Sequence, residues 1–437
     1  MIQVYCENIT NRHRYIFDFL LEDILGMKYA FTGNQEEYTE FSGPKFSYGY
    51  RYSSTGCHLN SHPLLSETGI LPQNIKMMNW NELPVFFEVE APSDMPFDPF
   101  AMSFYLITRY EEYLPFEPDE HGRFQATSSL ALREGFLRIP LVDMIAVKLK
   151  ALLEEHFPQL EFPARSYRFV PTFDIDIAYA HLGKGFFRAS AAWAKLILTL
   201  NFKEIRERLL TLAWRMDDPY DNFDFQQYIT TQYGYSSIYF ALVGDFGKYD
   251  RNTSYRNRRF RKLLIRLSRN AEIGIHPSHR SFLDKELYQK EKNRLEDILV
   301  NPVTRNRFHF LRVKFPESFR MLLDEGITDD YSIGYSSIIG FRASTCTPFN
   351  FYDLEKEEET SLKLHPFIFM DSAIIDHMGL TPEQAAVEID TLLEPVRSCG
   401  GEAIGIWHNY ALSEKQQYKG WRVFLETVLS DYNNQSL

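Results

Sequence analysis

The chain has 437 residues, 44% of them hydrophobic and 24% charged, which is the composition of an ordinary globular protein. Its formal net charge of −12 argues against general nucleic-acid binding, which requires a basic surface. At roughly 100–200 residues per domain, the length predicts two or three domains. We place a boundary near residue 165, where a helix-like stretch gives way to the polar, proline-containing segment QLEFPARSYR.

The cysteine pattern and the apolar runs bear on the cellular compartment. The four cysteines form no CxxC or other metal-binding spacing, so we interpret them as free thiols in a reducing compartment. The first residues lack the pattern of a signal peptide. The longest apolar run, AAWAKLILTL, is interrupted by Lys195 and is shorter than the ~18 residues that cross a bilayer. We expect a cytoplasmic protein without a transmembrane segment.

Residues 1–165 predict a smaller N-terminal α/β domain, because strand-like and helix-like stretches are mixed there. No constellation in this region indicates chemistry, and its role stays unassigned. We interpret Asp98 as a helix cap and the pair Glu111–Glu112 as a solvated helix face.

Residues 166–437 show short apolar strands that alternate with amphipathic helices. The predicted strands are 169–175, 237–242, 271–275, 308–313, 366–370 and 402–407, and the predicted helices are 187–215, 223–232, 256–268, 284–299, 316–325, 382–397 and 420–430. This alternation implies parallel βαβ units, and six or seven of them favour a barrel over an open sheet. Catalytic residues are then expected at the C-terminal ends of the strands.

Polar side chains that can bind metal or transfer protons lie within or at the ends of four of these strands. They are Asp174 and Asp176 in TFDID, His276 and His279 in EIGIHPSHRS, His309 and Arg312 in RFHFLRV, and His408 in IGIWHN. Parallel strands bring their C-terminal ends together, so these side chains are expected to converge. Imidazole and carboxylate without thiolate suit one divalent ion, for which we favour zinc over cobalt or nickel. Such a site, with a second carboxylate as base and a histidine as acid, can hydrolyse an amide such as an N-acetyl group.

With these motifs, about residues 168–430 resemble the polysaccharide deacetylase superfamily, which includes chitin and peptidoglycan deacetylases. The resemblance implies a distorted (β/α) barrel of about seven strands and a divalent metal held by Asp-His-His. TFDID is similar to the first family motif, which implies that Asp174 is the base and Asp176 a ligand. EIGIHPSHRS is similar to the second motif, which implies that His276 and His279 are ligands. IWHN is similar to the last motif, which implies that His408 is the general acid.

The chain departs from the family pattern at three points. Ile175 separates the two aspartates, the histidine pair is three residues apart instead of four, and RFHFLRV stands where an Arg-x-Pro-Tyr segment is expected. His309 therefore remains an alternative third ligand. If 308–313 is a strand, alternation places His309 on one face and Arg312 on the other.

A more local likeness concerns GITDDYSIGY and GFRASTCTPFNFYDL, which are similar to a branch of surface-polysaccharide biosynthesis proteins in Bacteroides-like bacteria. That branch carries an extra N-terminal domain before the deacetylase-like barrel. Within this stretch, Arg342 is expected either to bind a substrate carboxylate or orient Asp174, or to pair with Asp330 as part of the structure.

The predicted function is removal of acetyl groups from an N-acetylated carbohydrate. Two alternatives stay open: a catalytically altered domain that binds polysaccharide or a biosynthetic partner, and a metal-dependent amidohydrolase of a small non-sugar amide. The segment 251–269 contains eight basic residues and no acidic one. We interpret it as a solvated amphipathic outer helix, with contact to an anionic polymer or lipid-linked sugar as the alternative.

Overall fold

The computed structural model describes residues 1–50, 56–184, 190, 196, 198–200 and 202–433. Within these ranges no helix is long and apolar enough to cross a membrane. Most of the run AAWAKLILTL, and with it much of the first half of the predicted helix 187–215, lies outside the described residues.

The N-terminal residues form a small parallel sheet with helices beside it. The strands are β1 Ile2–Tyr5, β2 Tyr29–Thr32, β3 Lys45–Tyr48 and β4 His58–Leu59, in the order β2-β1-β3-β4, followed by the antiparallel pair β5 Met78–Trp80 and β6 Leu83–Val85. The helices are α1 Asn11–Phe17, α2 Gln35–Glu40, α3 Pro99–Ile107, α4 Leu130–Arg133 and α5 Leu141–His156. Asp98 caps α3 by accepting from the backbone N–H groups of Phe100 and Ala101, so its interpretation as a cap is confirmed.

The C-terminal residues form a larger sheet, which has nine strands within the described ranges. These are β7 Arg168–Ile175, β8 Ile238–Ala241, β9 Glu272–Ile275, β10 Arg305–Asn306, β11 Asp329–Asp330, β12 Phe349–Asp353, β13 Glu358–Leu364, β14 Phe369–Met370 and β15 Glu402–His408. Their order is β12-β13-β11-β10-β9-β8-β7-β15-β14, and every neighbouring pair is parallel except β12 with β13. The predicted alternation with helices is confirmed for β7, β8, β9, β14 and β15, whereas β11, β12 and β13 were not predicted and follow one another without an intervening helix.

The helices that connect these strands match the predicted positions closely. They are α6 Phe202–Leu212, α7 Phe223–Gln232, α8 Arg258–Leu267, α9 Lys285–Leu299, α10 Glu317–Asp324, α11 Pro382–Cys399 and α12 Trp421–Asn433. In α8 the apolar residues at helical spacing are buried, while Arg258 and Lys262 are exposed. The buried residues are Phe260, Leu263, Leu264 and Leu267. The amphipathic character predicted for this basic segment is therefore confirmed.

The predicted strand 308–313 is wrong. β10 ends at Asn306, and the chain then enters a short 3₁₀ turn at His309–Leu311. Phe310 and Leu311 adopt positive φ angles of 60° and 53°, which are incompatible with an extended strand. The argument from strand alternation fails for this reason, and His309 stands on a turn just beyond the C-terminal end of β10.

A backbone hydrogen bond between the segments beside β11 and β14 indicates that the large sheet curves around a separate cluster of buried residues. The members come from strands near both ends of the sheet order, and they include Val170, Ile238, Phe240, Tyr331, Phe367, Met370, Ile404 and Ile406. Phe367, which precedes β14, donates its N–H to the carbonyl of Ile333, which follows β11, at 3.0 Å. The two sides of the sheet therefore meet around this cluster.

The N-terminal and C-terminal regions share buried polar contacts. Glu112 accepts from Arg109 at 2.8 Å and from Arg342 at 2.6 Å, and all three side chains are buried. Arg342 therefore pairs with Glu112 and with neither Asp174 nor Asp330. The interpretation of Glu112 as part of a solvated face is wrong, because the chain turns it inward to meet two guanidinium groups.

Replacing Glu112 by Gln should lower the free energy of unfolding by about 3–5 kcal/mol, because it leaves buried guanidinium charge uncompensated. Glu117→Gln, at an exposed position nearby, should change it by less than about 0.5 kcal/mol. Urea unfolding at pH 7 measures both.

The contribution of Glu112 to the free energy of unfolding depends on pH. Burial acts to raise the pKa of Glu112, but the charges of Arg342 and Arg109 outweigh it and lower the pKa. A carboxyl whose pKa is lowered on folding stabilises the protein above its unfolded pKa of about 4.3 and loses that contribution as the pH falls below it. The stability gap between wild type and Glu112→Gln should therefore narrow in acid. A gap that widens would contradict this account.

Candidate metal and catalytic site

The side chains predicted at the strand ends meet around one cavity of about 290 Å³. Asp174 lies near the end of β7, where Val170, Thr172 and Asp174 share the face that carries the enclosed cluster. His408 ends the neighbouring strand β15 and stands in register with Asp174. The cavity therefore opens above the enclosed cluster, at the carboxyl ends of the parallel strands.

Three of the side chains that line the cavity could hold one metal ion. A nitrogen of His276, a nitrogen of His309 and a carboxylate oxygen of Asp176 all lie within 4.8 Å of one another. Nε2 of His276 is 3.3 Å from Asp176 Oδ1, and Nε2 of His309 is 3.8 Å from Asp176 Oδ2. One carboxylate and two imidazoles are a donor set typical of zinc and similar divalent ions.

Hydrogen bonds on the far side of each ring fix which nitrogen faces the cavity. Nδ1 of His276 lies 2.6 Å from the carbonyl oxygen of Arg307, and Nδ1 of His309 lies 2.9 Å from Asp250 Oδ1. Each Nδ1 therefore donates outward, and in the neutral ring each Nε2 presents a lone pair toward Asp176. Asp176 Oδ1 is buried without a hydrogen-bond partner. Acceptors that face one another in this way fit a cation between them.

The pKa shifts of Asp176 and His276 reflect the same excess of acceptors around this position. Burial acts to raise the pKa of Asp176, but His309, His276 and His408 outweigh it and lower the pKa strongly. Burial acts to lower the pKa of His276, but Asp174 and Asp176 outweigh it and raise the pKa. The carboxylates thus attract positive charge to this position, in the form of either a proton or a metal ion.

His279 does not join this group. Its backbone N–H donates to Asp250 Oδ1 at 2.7 Å, and its ring lies between Tyr249 and His121. Nε2 of His279 is 3.3 Å from Nδ1 of His121, and Nδ1 is 3.3 Å from a guanidinium nitrogen of Arg312. Burial and the charge of Arg312 lower the pKa of His279 to about 4. The geometry brings His309, and not His279, together with Asp176 and His276.

Asp174 is held by a buried guanidinium. Nη1 of Arg307 donates to Asp174 Oδ1 and to the hydroxyl of Thr172, both at 2.8 Å. Its Nε donates to the carbonyl of Tyr331 at 3.0 Å. The second oxygen of Asp174 lies 3.8 Å from Nε2 of His276, beside the group formed by Asp176, His276 and His309. This carboxylate is both oriented and charge-compensated.

His408 is held by a carboxylate on the opposite ring nitrogen. Nδ1 of His408 lies 2.6 Å from Asp371 Oδ1, and the backbone N–H of His408 donates to Asp371 Oδ2 at 2.6 Å. Nε2 lies 3.7 Å from Asp176 Oδ2. Burial acts to lower the pKa of His408, but Asp371, Asp176 and Asp174 outweigh it and raise the pKa to about 10. The ring is thus poised to carry a proton.

Three partner residues were missed from the sequence. Asp371 directly follows β14, so the strand-end rule could have found it. Arg307 directly follows β10, but the prediction placed the strand too late, at 308–313, so that Arg307 preceded it. Asp250 lies in a loop after β8, where no local pattern marks it. Arg312 was singled out but points away from Asp174: it donates to the carbonyls of His121 and His279.

The comparisons with known proteins cover different parts of the chain. The model of DUF7033, a family of unknown function, matches residues 2–158. No curated protein matches the chain. A Mycobacterium smegmatis structure described as a polysaccharide deacetylase has 15% identity and a TM-score of 0.40, and covers 62% of this chain and 87% of its own.

Two further solved structures overlap the chain to a similar extent. Puue allantoinase has 9% identity and a TM-score of 0.36, and covers 61% of this chain and 88% of its own. A polysaccharide deacetylase of Bacillus cereus has 8% identity and a TM-score of 0.27, and covers 61% of this chain and 89% of its own. Two of these three structures are thus described as polysaccharide deacetylases.

Zinc titration of metal-free protein separates the two candidate histidines. His309→Ala should weaken zinc binding by more than 100-fold, whereas His279→Ala should stay within a few-fold of wild type. Asp250→Asn, which removes charge from the partner of His309, should fall between them at about 10–100-fold. If His279→Ala loses zinc and His309→Ala retains it, the geometric grouping does not describe the metal site.

Proposed function

We propose that this chain is a metal-dependent hydrolase that removes acetyl groups from an N-acetylated carbohydrate. The observation that carries the proposal is the lining of one cavity. A potential Asp-His-His ligand set, a carboxylate held by arginine and an imidazole held by a carboxylate all face it. Amide hydrolysis requires these three functions within reach of one bond.

The proposed ligands are Asp176, His276 and His309, so His309 replaces the expected His279. A divalent ion held there, with zinc as the first choice, supplies Lewis-acid polarisation of a carbonyl and lowers the pKa of water. Arg307 and Asp250 orient the two imidazoles through their Nδ1 hydrogen bonds. These hydrogen bonds keep both Nε2 lone pairs directed into the cavity.

Asp174 is the proposed general base. Arg307 holds Oδ1, which leaves Oδ2 beside the ligand group to accept a proton from water. His408 is the proposed general acid, since Asp371 holds its Nδ1 and favours the protonated ring. Nε2 can then deliver a proton to the departing amine.

Arg307 also bears on the non-catalytic alternative. The segment RFHFLRV lacks the expected Arg-x-Pro-Tyr pattern, yet its first residue places a guanidinium on Asp174. Groups suited to act as base, acid and metal ligands are thus all oriented toward one cavity. This arrangement favours catalysis over a domain that only binds polysaccharide.

Carbohydrate as the substrate class rests on the motif resemblance and on the aromatic lining. Phe308, Phe310 and Tyr410 face the cavity together with polar groups, a mixture suited to a sugar ring. We further propose that the curved sheet closes as a distorted (β/α) barrel from residue 166 onward, in a surface-polysaccharide pathway. The end of the DUF7033 match at residue 158 supports a boundary near 165.

Two assays test the proposed function: acetate release from a panel of N-acetylated mono- and oligosaccharides, and ring opening of allantoin as a small non-sugar amide. Zinc-loaded protein should release acetate, and chelation should abolish the activity. Asp174→Asn should reduce turnover by about 10²–10⁴-fold and retain zinc, as expected for loss of a general base. Asp324→Asn, an exposed aspartate in α10, is the control. Hydrolysis of allantoin alone would assign the chain to the small-amide alternative instead.

A further inference from the structure

The N-terminal region reaches into the proposed active site through one tight turn. Residues 118–124, the wall hairpin, are closed by a bridge between Pro118 and Phe124. Asp119 Oδ1 accepts the backbone N–H groups of His121 and Arg123 within the turn. Gly122 has a φ of 78°, which the turn requires and which glycine adopts without strain. The hairpin is thus preorganised by its own hydrogen bonds.

Contacts from the C-terminal region fix the wall hairpin in place. Arg123 donates to the carbonyl of Phe310 at 2.7 Å, and Arg312 donates to the carbonyl of His121 at 2.7 Å. Arg312 also donates to the carbonyl of His279, whose ring contacts His121. His279 and Arg312 therefore serve as supports for the hairpin. As a result, Glu120, His121 and Arg123 line the same cavity as the proposed catalytic residues.

A second cavity of about 230 Å³, here called the side cavity, adjoins the first. The two share Arg123, Leu311 and Ser336 in their walls. The catalytic cavity alone lies at the lower limit of ligand pockets, which span roughly 300–1,000 Å³. A substrate that extends into the side cavity would therefore be larger than the single acetylated unit.

The charges around the side cavity are already compensated. Arg123 pairs with Asp119 through two nitrogens, and Arg342 pairs with Glu112 through two nitrogens. The remaining Nη1 groups donate to the carbonyls of Phe310 and Gly334. Neither guanidinium retains an uncompensated charge for a phosphate or carboxylate, so the lining favours a neutral ligand.

The uncharged polar groups, in contrast, are open to a ligand, since three of the four side chains are exposed to solvent and Ser336 is half-buried. Among the described residues, nothing forms a hydrogen bond with the side chains of Gln125, Thr127, Ser336 or Ser337, all of which line the side cavity. Hydroxyl and amide groups of this kind both donate and accept. Phe124 and Leu311 add apolar surface beside them. This combination matches a polyhydroxylated ring, which presents hydroxyl groups at its edge and apolar C–H groups on its face.

We infer that the side cavity binds a second, neutral, hydroxyl-rich unit joined to the acetylated one, and that the N-terminal region supplies this specificity. The substrate is then at least two glycosyl units long. The inference rests on the proposed function, because the deacetylated unit must occupy the cavity beside Asp174 and His408.

The test compares N-acetylglucosamine with neutral disaccharides in which it is linked to glucose, galactose or a second N-acetylglucosamine. The double variant Gln125→Leu/Ser337→Ala removes two hydrogen-bonding groups without adding charge. It should lower kcat/KM for the preferred disaccharide by about 10-fold, as expected for two lost hydrogen bonds, and leave the monosaccharide value unchanged. Gln35→Leu, at an exposed site in α2 outside both cavities, is the matched control.

Saturation-transfer NMR on the metal-free full-length protein gives a second readout that does not depend on turnover. Saturation should reach both sugar units in wild type and only the acetylated unit in the double variant, and excess inorganic phosphate should not displace the disaccharide. Displacement by phosphate would indicate an anion site and overturn the inference, as would a double variant identical to wild type in both measurements. Saturation of both sugar units without acetate release would refute the proposed function but support binding in the side cavity. If neither saturation of the second unit nor acetate release is observed, the proposed function and the inference about the side cavity are both refuted.

Discussion

The buried guanidinium of Arg307 orders more of this site than any of the motif residues does. It fixes Asp174, spans to Thr172 one pleat below, and ties β7 to the segment after β11 through the carbonyl of Tyr331. Its own backbone carbonyl sets the ring of His276. A charge this deeply buried is tolerable only because a carboxylate and several oxygen atoms surround it. The position of the base and the orientation of one proposed ligand thus depend on a single residue.

The parts of the site that were predictable from sequence share one physical property. Asp174, His276 and His408 each terminate or directly follow a well-formed apolar strand, and parallel strands bring their ends together whatever the connecting segments do. Five of the nine described strands after residue 165, and the helices between them, were predictable because the hydrophobic periodicities of two and 3.6 are strong there. The short strands β10 and β11 and the antiparallel pair β12 and β13 were not predicted.

The parts that escaped prediction depend on local backbone geometry and on distant partners. The run 307–313 alternates like a strand, yet two successive left-handed residues turn it and deliver His309 to Asp176. The residue types do not indicate this turn, because Phe and Leu rarely adopt positive φ. The three-residue spacing of His276 and His279 was equally uninformative: the intervening Pro277 keeps the chain extended, and His279 leaves the cavity to contact the N-terminal region. Arg342 pairs with Glu112, 230 positions earlier in the chain, and no local pattern indicates such a pairing.

The cluster of Arg109, Glu112 and Arg342 also constrains how such a chain can evolve. One carboxylate from the N-terminal region compensates a guanidinium from the C-terminal region, and all three side chains are buried. A recombination event that joined this C-terminal region to an unrelated N-terminal region would leave Arg342 without the carboxylate that compensates it. The two regions are therefore complementary in charge at this contact, independently of any role in catalysis.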